Sequence, residues 1–265
     1  MVMLPPAITS MKNYGTDNAE RIYSDADHET WRFLFERQNE LLAGRAADEF
    51  LDGLGALGVA AHGIPNINKL NDVLLKATRW QIVLVEGLVP DLVFFDHLAH
   101  RRFPVTWWIR KPEQIDYLQE PDLFHDIYGH VPLLVNPVFA DYMQQYGLGG
   151  VKAASLDALQ YLARLYWYTV EFGLIRSPKG LRIYGSGILS SKSESIYCLD
   201  SPRPRRIPFD LLRIMQTEYK IDAVQACYFV IGDFMQLFEA TRPDFTPYYR
   251  ELKTRPTLKP DAALR

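Results

Sequence analysis

Residues 120–134 read EPDLFHDIYGHVPLL, which sets two imidazoles, His125 and His130, five positions apart with Asp126 beside the first. Imidazoles and carboxylates are the side chains that hold a divalent first-row metal. Spacing alone does not make them a site. On an ideal α-helix, residues five apart point about 140° away from each other, whereas the i, i+4 pairs that ligate one ion differ by about 40°. Gly129 and Pro132 offer a way round: the helix starting near Pro121 is expected to end or bulge around Gly129 and swing His130 back towards His125. The competing reading is two unrelated histidines, one on a helix surface and one at its C-terminal cap.

A third donor would have to come from elsewhere in the chain. Glu171, in YWYTVEFGL, is an acid among Val170, Phe172 and Leu174, whose neighbours favour burial. A buried carboxylate needs a partner, and a cation is one. Two imidazoles and one carboxylate on one face leave coordination positions open, the arrangement of non-haem Fe(II) centres that activate oxygen. Pairing of Glu171 with an arginine or histidine remains the alternative.

These residues must be carried by a folded scaffold, and the bulk composition provides for one. The chain has 265 residues, 48% of them hydrophobic and 13% aromatic, enough for a substantial core. A net charge of −3 gives no electrostatic reason to expect nucleic acid or an anionic membrane as partner. No signal peptide or membrane span is read, so the cytoplasm is the expected location. Cys198 and Cys227, far apart in apolar settings, suit reduced buried thiols.

Residues 1–24 look irregular, and 25–265 read as a single catalytic domain. Helical spacing is clear in DADHETWRFLFERQNELL through Trp31, Leu34, Phe35, Leu41 and Leu42. It recurs at 46–57 through Phe50, Leu51, Leu54 and Leu57, and at 66–78, where Asn66 can cap. SLDALQYLARLYWYTVEFG, PFDLLRIMQTEY and GDFMQLFEATR add further helix. WQIVLVEG and FPVTWWIR read as short strands, and LIRSPKGLRIYG as a hairpin. The expected fold class is mostly α (α+β), a helix-rich domain with a few short strands.

EPDLFHDIYGHVPLL, YWYTVEFGL and YGSGILSSKSE, in that order and at those separations, resemble the pterin-dependent aromatic amino acid hydroxylases over about 80–228. Within that family the chain is similar to bacterial members that consist of the catalytic domain alone and act on phenylalanine. The resemblance implies a monomer without regulatory domain or tetramerisation helix. It places iron ligands on His125, His130 and Glu171, and a water-ordering acid on Asp126. On the pterin side it implies ring stacking by Phe94, a pocket segment at Gly87, Leu88 and Val89, and further contacts at Ala163 and Tyr166. Read without the family, Phe94 and Tyr166 are core packing.

For the substrate, the resemblance implies that Arg110 grips the carboxylate bidentately, that Ser190 and Gly187 assist, and that Pro121, His125, Trp167 and Phe172 wall the ring. Leu118 stands where animal members have threonine. Trp167 disfavours an indole, and Ile221 is apolar where tyrosine hydroxylases carry an acid. The activity implied is hydroxylation of L-phenylalanine to L-tyrosine with Fe(II), a tetrahydropterin and O2, giving one hydroxylated amino acid and one hydroxylated pterin per O2. Tryptophan or tyrosine hydroxylation is the alternative within the family. From other classes, a zinc hydrolase would use the same donors on an activated water, and a noncatalytic pterin or amino acid binding module would keep the pocket without turnover.

Overall fold

The computed structural model describes residues 22–261 except 117 and 119, so most of the irregular segment expected at 1–24 lies outside the described residues. Helix α1 spans Asp25–Leu42, with Ser24 and Asp27 forming a reciprocal capping box at its start. Its buried stripe is Trp31, Leu34, Phe35 and Leu42, as the spacing predicts. Helix α2 (Asp48–Leu57) ends on Gly58 in the left-handed region, and α3 (Ile67–Ala77) starts on the Asn66 cap. Leu51 departs from expectation: it is 42% exposed, because only Phe50, Gly53, Leu54 and Leu57 of α2 face the core.

The expected strands form. β1 (Gln81–Val85) pairs in parallel with β2 (Arg102–Thr106), bridged by α4 (Asp91–Ala99). β3 (Leu174–Ser177) and β4 (Gly180–Ile183) make the predicted hairpin. Two strands that periodicity does not single out, β5 (Arg205–Pro208) and β6 (Cys227–Ile231), complete a four-stranded sheet of order β4-β3-β6-β5. Cys198 and Cys227 are both buried free thiols.

Periodicity also overlooks the 19-residue helix α5 (Pro137–Ser155), whose run of Gly147, Gly149 and Gly150 has poor intrinsic propensity. Packing overrides propensity there, since α5 lies along α4 and buries Tyr142, Met143 and Tyr146. The stretch read as one helix from 155 divides instead: Leu156 caps α5, and α6 covers Leu159–Tyr166. Its continuation, Trp167–Glu171, is a π-helix. The remaining helices are α7 (Ser186–Leu189), α8 (Lys192–Asp200), α9 (Leu211–Gln216), α10 (Phe234–Thr241) and α11 (Thr246–Thr254). Among the described residues, no helix is long and apolar enough to cross a membrane.

One close approach ties this scaffold to the histidine segment. Helix α2 packs on the 3-10 turn Val131–Val135 that follows His130, and a Cβ on Gly53 would lie 2.1 Å from the Pro132 carbonyl oxygen. Backbone cannot yield as a side chain can. Gly53→Ala should therefore cost about 1–3 kcal/mol of stability by overpacking, read as a lowered urea midpoint. An unchanged midpoint would show that α2 can back away freely.

Candidate active site

The two histidines converge. Residues His125–His130 form a π-helix, the bulge expected near Gly129 but extended over the whole interval. Its wider turn, closed by i→i+5 bonds, returns residue i+5 above residue i, which an α-helix does only for i+4. The two rings sit 4.8 Å apart, near perpendicular, and their Nε2 atoms are separated by 3.1 Å. The second π-helix delivers Glu171, whose Oε1 lies 3.2 Å from His130 Nε2 and whose Oε2 lies 3.8 Å from His125 Nε2. Two distant segments thus use the same backbone distortion.

Why the segments lie so close follows from α7. Gly129 faces Ser186, and a Cβ there would stand 3.0 Å from the Ser186 carbonyl oxygen. The Ser186 hydroxyl bonds Glu171 Oε2 at 2.9 Å and the Val170 carbonyl at 3.1 Å. One turn of helix therefore spans both π-helices. Ser190, at the end of that turn, sets the state of His125. Its single hydroxyl proton goes to the Ser186 carbonyl (2.8 Å), so it accepts from His125 Nδ1 at 2.8 Å. His125 then carries its proton on Nδ1 and turns the Nε2 lone pair towards His130 and Glu171.

Electrostatics agree with that assignment. Burial lowers the His125 pKa to about 4, favouring the neutral ring. Burial works against ionisation of Glu171, but His130, His125 and the Ser186 hydroxyl outweigh it and bring the carboxyl to about 2. Two imidazoles and an ionised carboxylate thus aim at one point. The nearest donor pairs lie 3.1, 3.2 and 3.8 Å apart, the last two through different oxygens of Glu171, and one atom from each residue falls within 4.8 Å of the others, so this donor set fits a divalent metal.

The triangle opens into a cavity of about 480 Å3. All seven residues expected on the substrate side, Arg110, Pro121, His125, Trp167, Phe172, Gly187 and Ser190, line it, together with Leu118 and Ile221. Ile221 sits at the rim, 71% exposed. The Ser190 hydroxyl, having spent its proton on Ser186, supports His125 instead of donating to a carboxylate. Arg110 is buried, and Asp122 takes its Nε (2.8 Å) and Nη2 (2.9 Å). The grip expected on substrate is thus already made to a protein carboxylate along one edge, and Nη1 donates to the Ile115 carbonyl at 3.5 Å, leaving one Nη1 proton and the second Nη2 proton as the usable edge.

The residues expected on the pterin side are less gathered. Asp126 is buried, accepts from the Thr106 amide at 2.7 Å, and is pushed up to about 7 by burial. Phe94 packs edge-on against Tyr166 at 5.5 Å, and Tyr166 lies over His130 at 6.2 Å. Gly87, Leu88 and Val89 follow β1, whose last residue pairs with Thr106, so that turn and Asp126 share one end of the parallel pair. Leu88 is 72% exposed. Ala163 lines a different cavity, about 750 Å3, with Arg164, Tyr219 and Lys220.

The family profile described as biopterin-dependent aromatic amino acid hydroxylase matches residues 8–259. This chain belongs to that family. Membership in a hydroxylase family displaces the zinc-hydrolase and noncatalytic readings. The chain is 68% identical over 235 residues to a phenylalanine-4-hydroxylase of Ralstonia nicotianae, covering 89% of this chain and 75% of that one. It is 62% identical over 256 residues to the phenylalanine-4-hydroxylase of Chromobacterium violaceum, covering 93% and 86%. The iron- and phenylalanine-bound crystal structure of the latter enzyme superposes with a TM-score of 0.91 at 58% identity, over 96% of this chain and 92% of that one. The helix-rich fold with few short strands is therefore that of the hydroxylases.

Sequence reasoning overlooks two residues of the hydroxylase site. Asp122 was findable, since a buried Arg110 requires a carboxylate and the acid stands in EPDLF. Ser186 carries no local signal, because only the packing of α7 aims it at Glu171. Ser190→Ala should free the His125 ring and weaken iron retention about 10–100-fold while leaving the fold intact, measured by chelator competition. Unchanged iron affinity would remove Ser190 from that role.

Proposed function

We propose that this chain hydroxylates L-phenylalanine to L-tyrosine using Fe(II), a tetrahydropterin and O2. One observation carries the reading: the three-donor triangle opens directly into a cavity with aromatic walls and a cationic edge. His125, His130 and Glu171 hold the metal from one side and leave the cavity side to reactants. Bound iron and tetrahydropterin together supply the reductive activation of O2. The chain supplies position.

Arg110 takes the substrate carboxylate on its remaining edge. Asp122, fully buried, locks the guanidinium plane beforehand, so little side-chain freedom is lost on binding. The Asp122 carboxyl also accepts from the backbone of Arg110 and of His125, which couples the carboxylate anchor to a metal donor. Trp167 and Phe172, tilted against each other at 4.7 Å, form the apolar wall for the ring. Pro121 and Gly187 complete it, and Leu118 makes the nearby surface apolar. On the other side, Phe94 and Tyr166 offer aromatic faces to a flat cofactor, the turn at Gly87, Leu88 and Val89 offers backbone, and Asp126 offers a carboxyl that orders water beside it. The enzyme acts as a single catalytic domain and a monomer in the cytoplasm, within phenylalanine catabolism. Two buried reduced thiols support a reducing compartment.

Anaerobic reconstitution with Fe(II), followed by phenylalanine, tetrahydropterin and O2, should yield tyrosine and hydroxylated pterin in equal amounts. Iron-loaded protein that forms no tyrosine would overturn the reading. Ring choice has its own test. Trp167→Phe should raise the tryptophan-to-phenylalanine ratio of kcat/KM by about 10–200-fold, since the freed volume relieves only the larger ring. A ratio that stays level in competition assays would assign the choice to another wall.

A further inference from the structure

Between Tyr219 and Cys227 the chain crosses the rim of the substrate cavity as an exposed loop with a single buried residue, Gln225. Ile221 and Val224 are 71% and 51% exposed, so apolar burial does not fix the loop. Both polar atoms of the Gln225 side chain and its backbone amide have partners. Its Oε1 accepts from the Trp167 indole Nε1 at 2.9 Å. Its Nε2 donates to the carbonyls of Lys220 (3.1 Å) and Ala223 (3.0 Å), closing the loop on itself. Its backbone amide donates to Glu194 Oε1 at 3.0 Å, and Glu194 is held in turn by the Tyr228 hydroxyl.

We propose that Gln225 is a positioning residue for ring selection, joining the Trp167 wall to the loop that rims the substrate cavity. This deepens the proposed function and rests on reading that cavity as the phenylalanine site. Trp167 is clamped from two sides: Tyr219 stacks on the indole at 4.4 Å and 15°, and Gln225 holds the indole N–H. Stacking fixes the plane of the ring but allows it to slide. The hydrogen bond removes that freedom. The task needs one acceptor and two donors on a single side chain of fixed reach: glutamate lacks the donors, asparagine the reach, and methionine has the reach but neither the donors nor a strong acceptor. Nothing in this network touches the donor atoms of His125, His130 or Glu171, so ring selection is separable from metal binding.

Gln225→Met keeps the volume and removes the hydrogen bonds. Phenylalanine KM should rise about 3- to 30-fold, the scale of one or two lost neutral hydrogen bonds, while pterin KM and iron content stay at wild-type values. The tryptophan-to-phenylalanine ratio of kcat/KM should rise with it, since an indole wall free to slide admits the larger ring. In the Trp167→Phe background, where no indole N–H exists, Gln225→Met should change phenylalanine KM by clearly less than in the wild type. If Gln225→Met does not fold, Gln225→Asn, which keeps the amide but not its span, should move the same quantities in the same direction. Equal rises in phenylalanine and pterin KM, an unchanged ratio, or fully multiplicative effects in the double variant would each overturn the proposal. Calorimetric phenylalanine binding to the anaerobic Fe(II) protein separates the two readings. Wild-type protein that neither binds nor hydroxylates phenylalanine overturns both, whereas wild-type protein that does both beside unaltered Gln225 variants overturns this one alone.

Discussion

Everything in this fold bends to one requirement: three electron-pair donors, two of them only partly screened from the substrate cavity, must be held within 4.8 Å of each other. Without a cation such groups crowd one another, and burial strips away the water that would relieve them. The chain meets the requirement with backbone geometry. Two π-helices, His125–His130 and Trp167–Glu171, each give up regular α-helical hydrogen bonding to aim their side chains at a common point. The short helix α7 couples them, with Gly129 at its surface and Ser186 reaching Glu171. A metal bound at that point returns free energy to the fold, because the site exists only when the fold does.

A second layer fixes orientation. Ser190 decides which nitrogen of His125 is protonated, and Asp122 decides how Arg110 lies while also accepting from the His125 amide. Arg110 and His125 are therefore parts of one hydrogen-bonded unit. A buried arginine-aspartate pair has a large desolvation cost, and Asp122 offsets it by accepting two bonds on each oxygen, while Arg110 keeps one edge open. The same logic holds at the aromatic wall, where Trp167 is stacked by Tyr219 and bonded by Gln225. Reactive positions sit on rigid elements, and each is supported by a residue that touches no reactant.

The sequence by itself determined the parts that depend on local pattern. Helical spacing located α1 to within a residue, Asn66 marked the start of α3, and β-branched runs marked β1 and β2. It also put the donors forward: residue type and apolar context made His125, His130 and Glu171 candidates beside other readings, the resemblance to a hydroxylase family chose among them, and Gly129 hinted that the backbone would not stay α-helical. Local rules reach this far because capping, periodicity and side-chain polarity act within a few residues.

Tertiary structure decided the rest, because the deciding contacts join residues far apart in the chain. Helix α5 forms against its own glycines because α4 packs along it. The run through Glu171 passes from α-helix to π-helix where Ser186 of α7 bonds the Val170 carbonyl and Glu171 from across the core. Ser186 finds Glu171, Asp122 finds Arg110, and Gln225 finds Trp167 only once the sheet and helices close around them. Residue type told which groups could do chemistry; convergence, tautomer and wall position were set by packing across the core, where no local signal reaches.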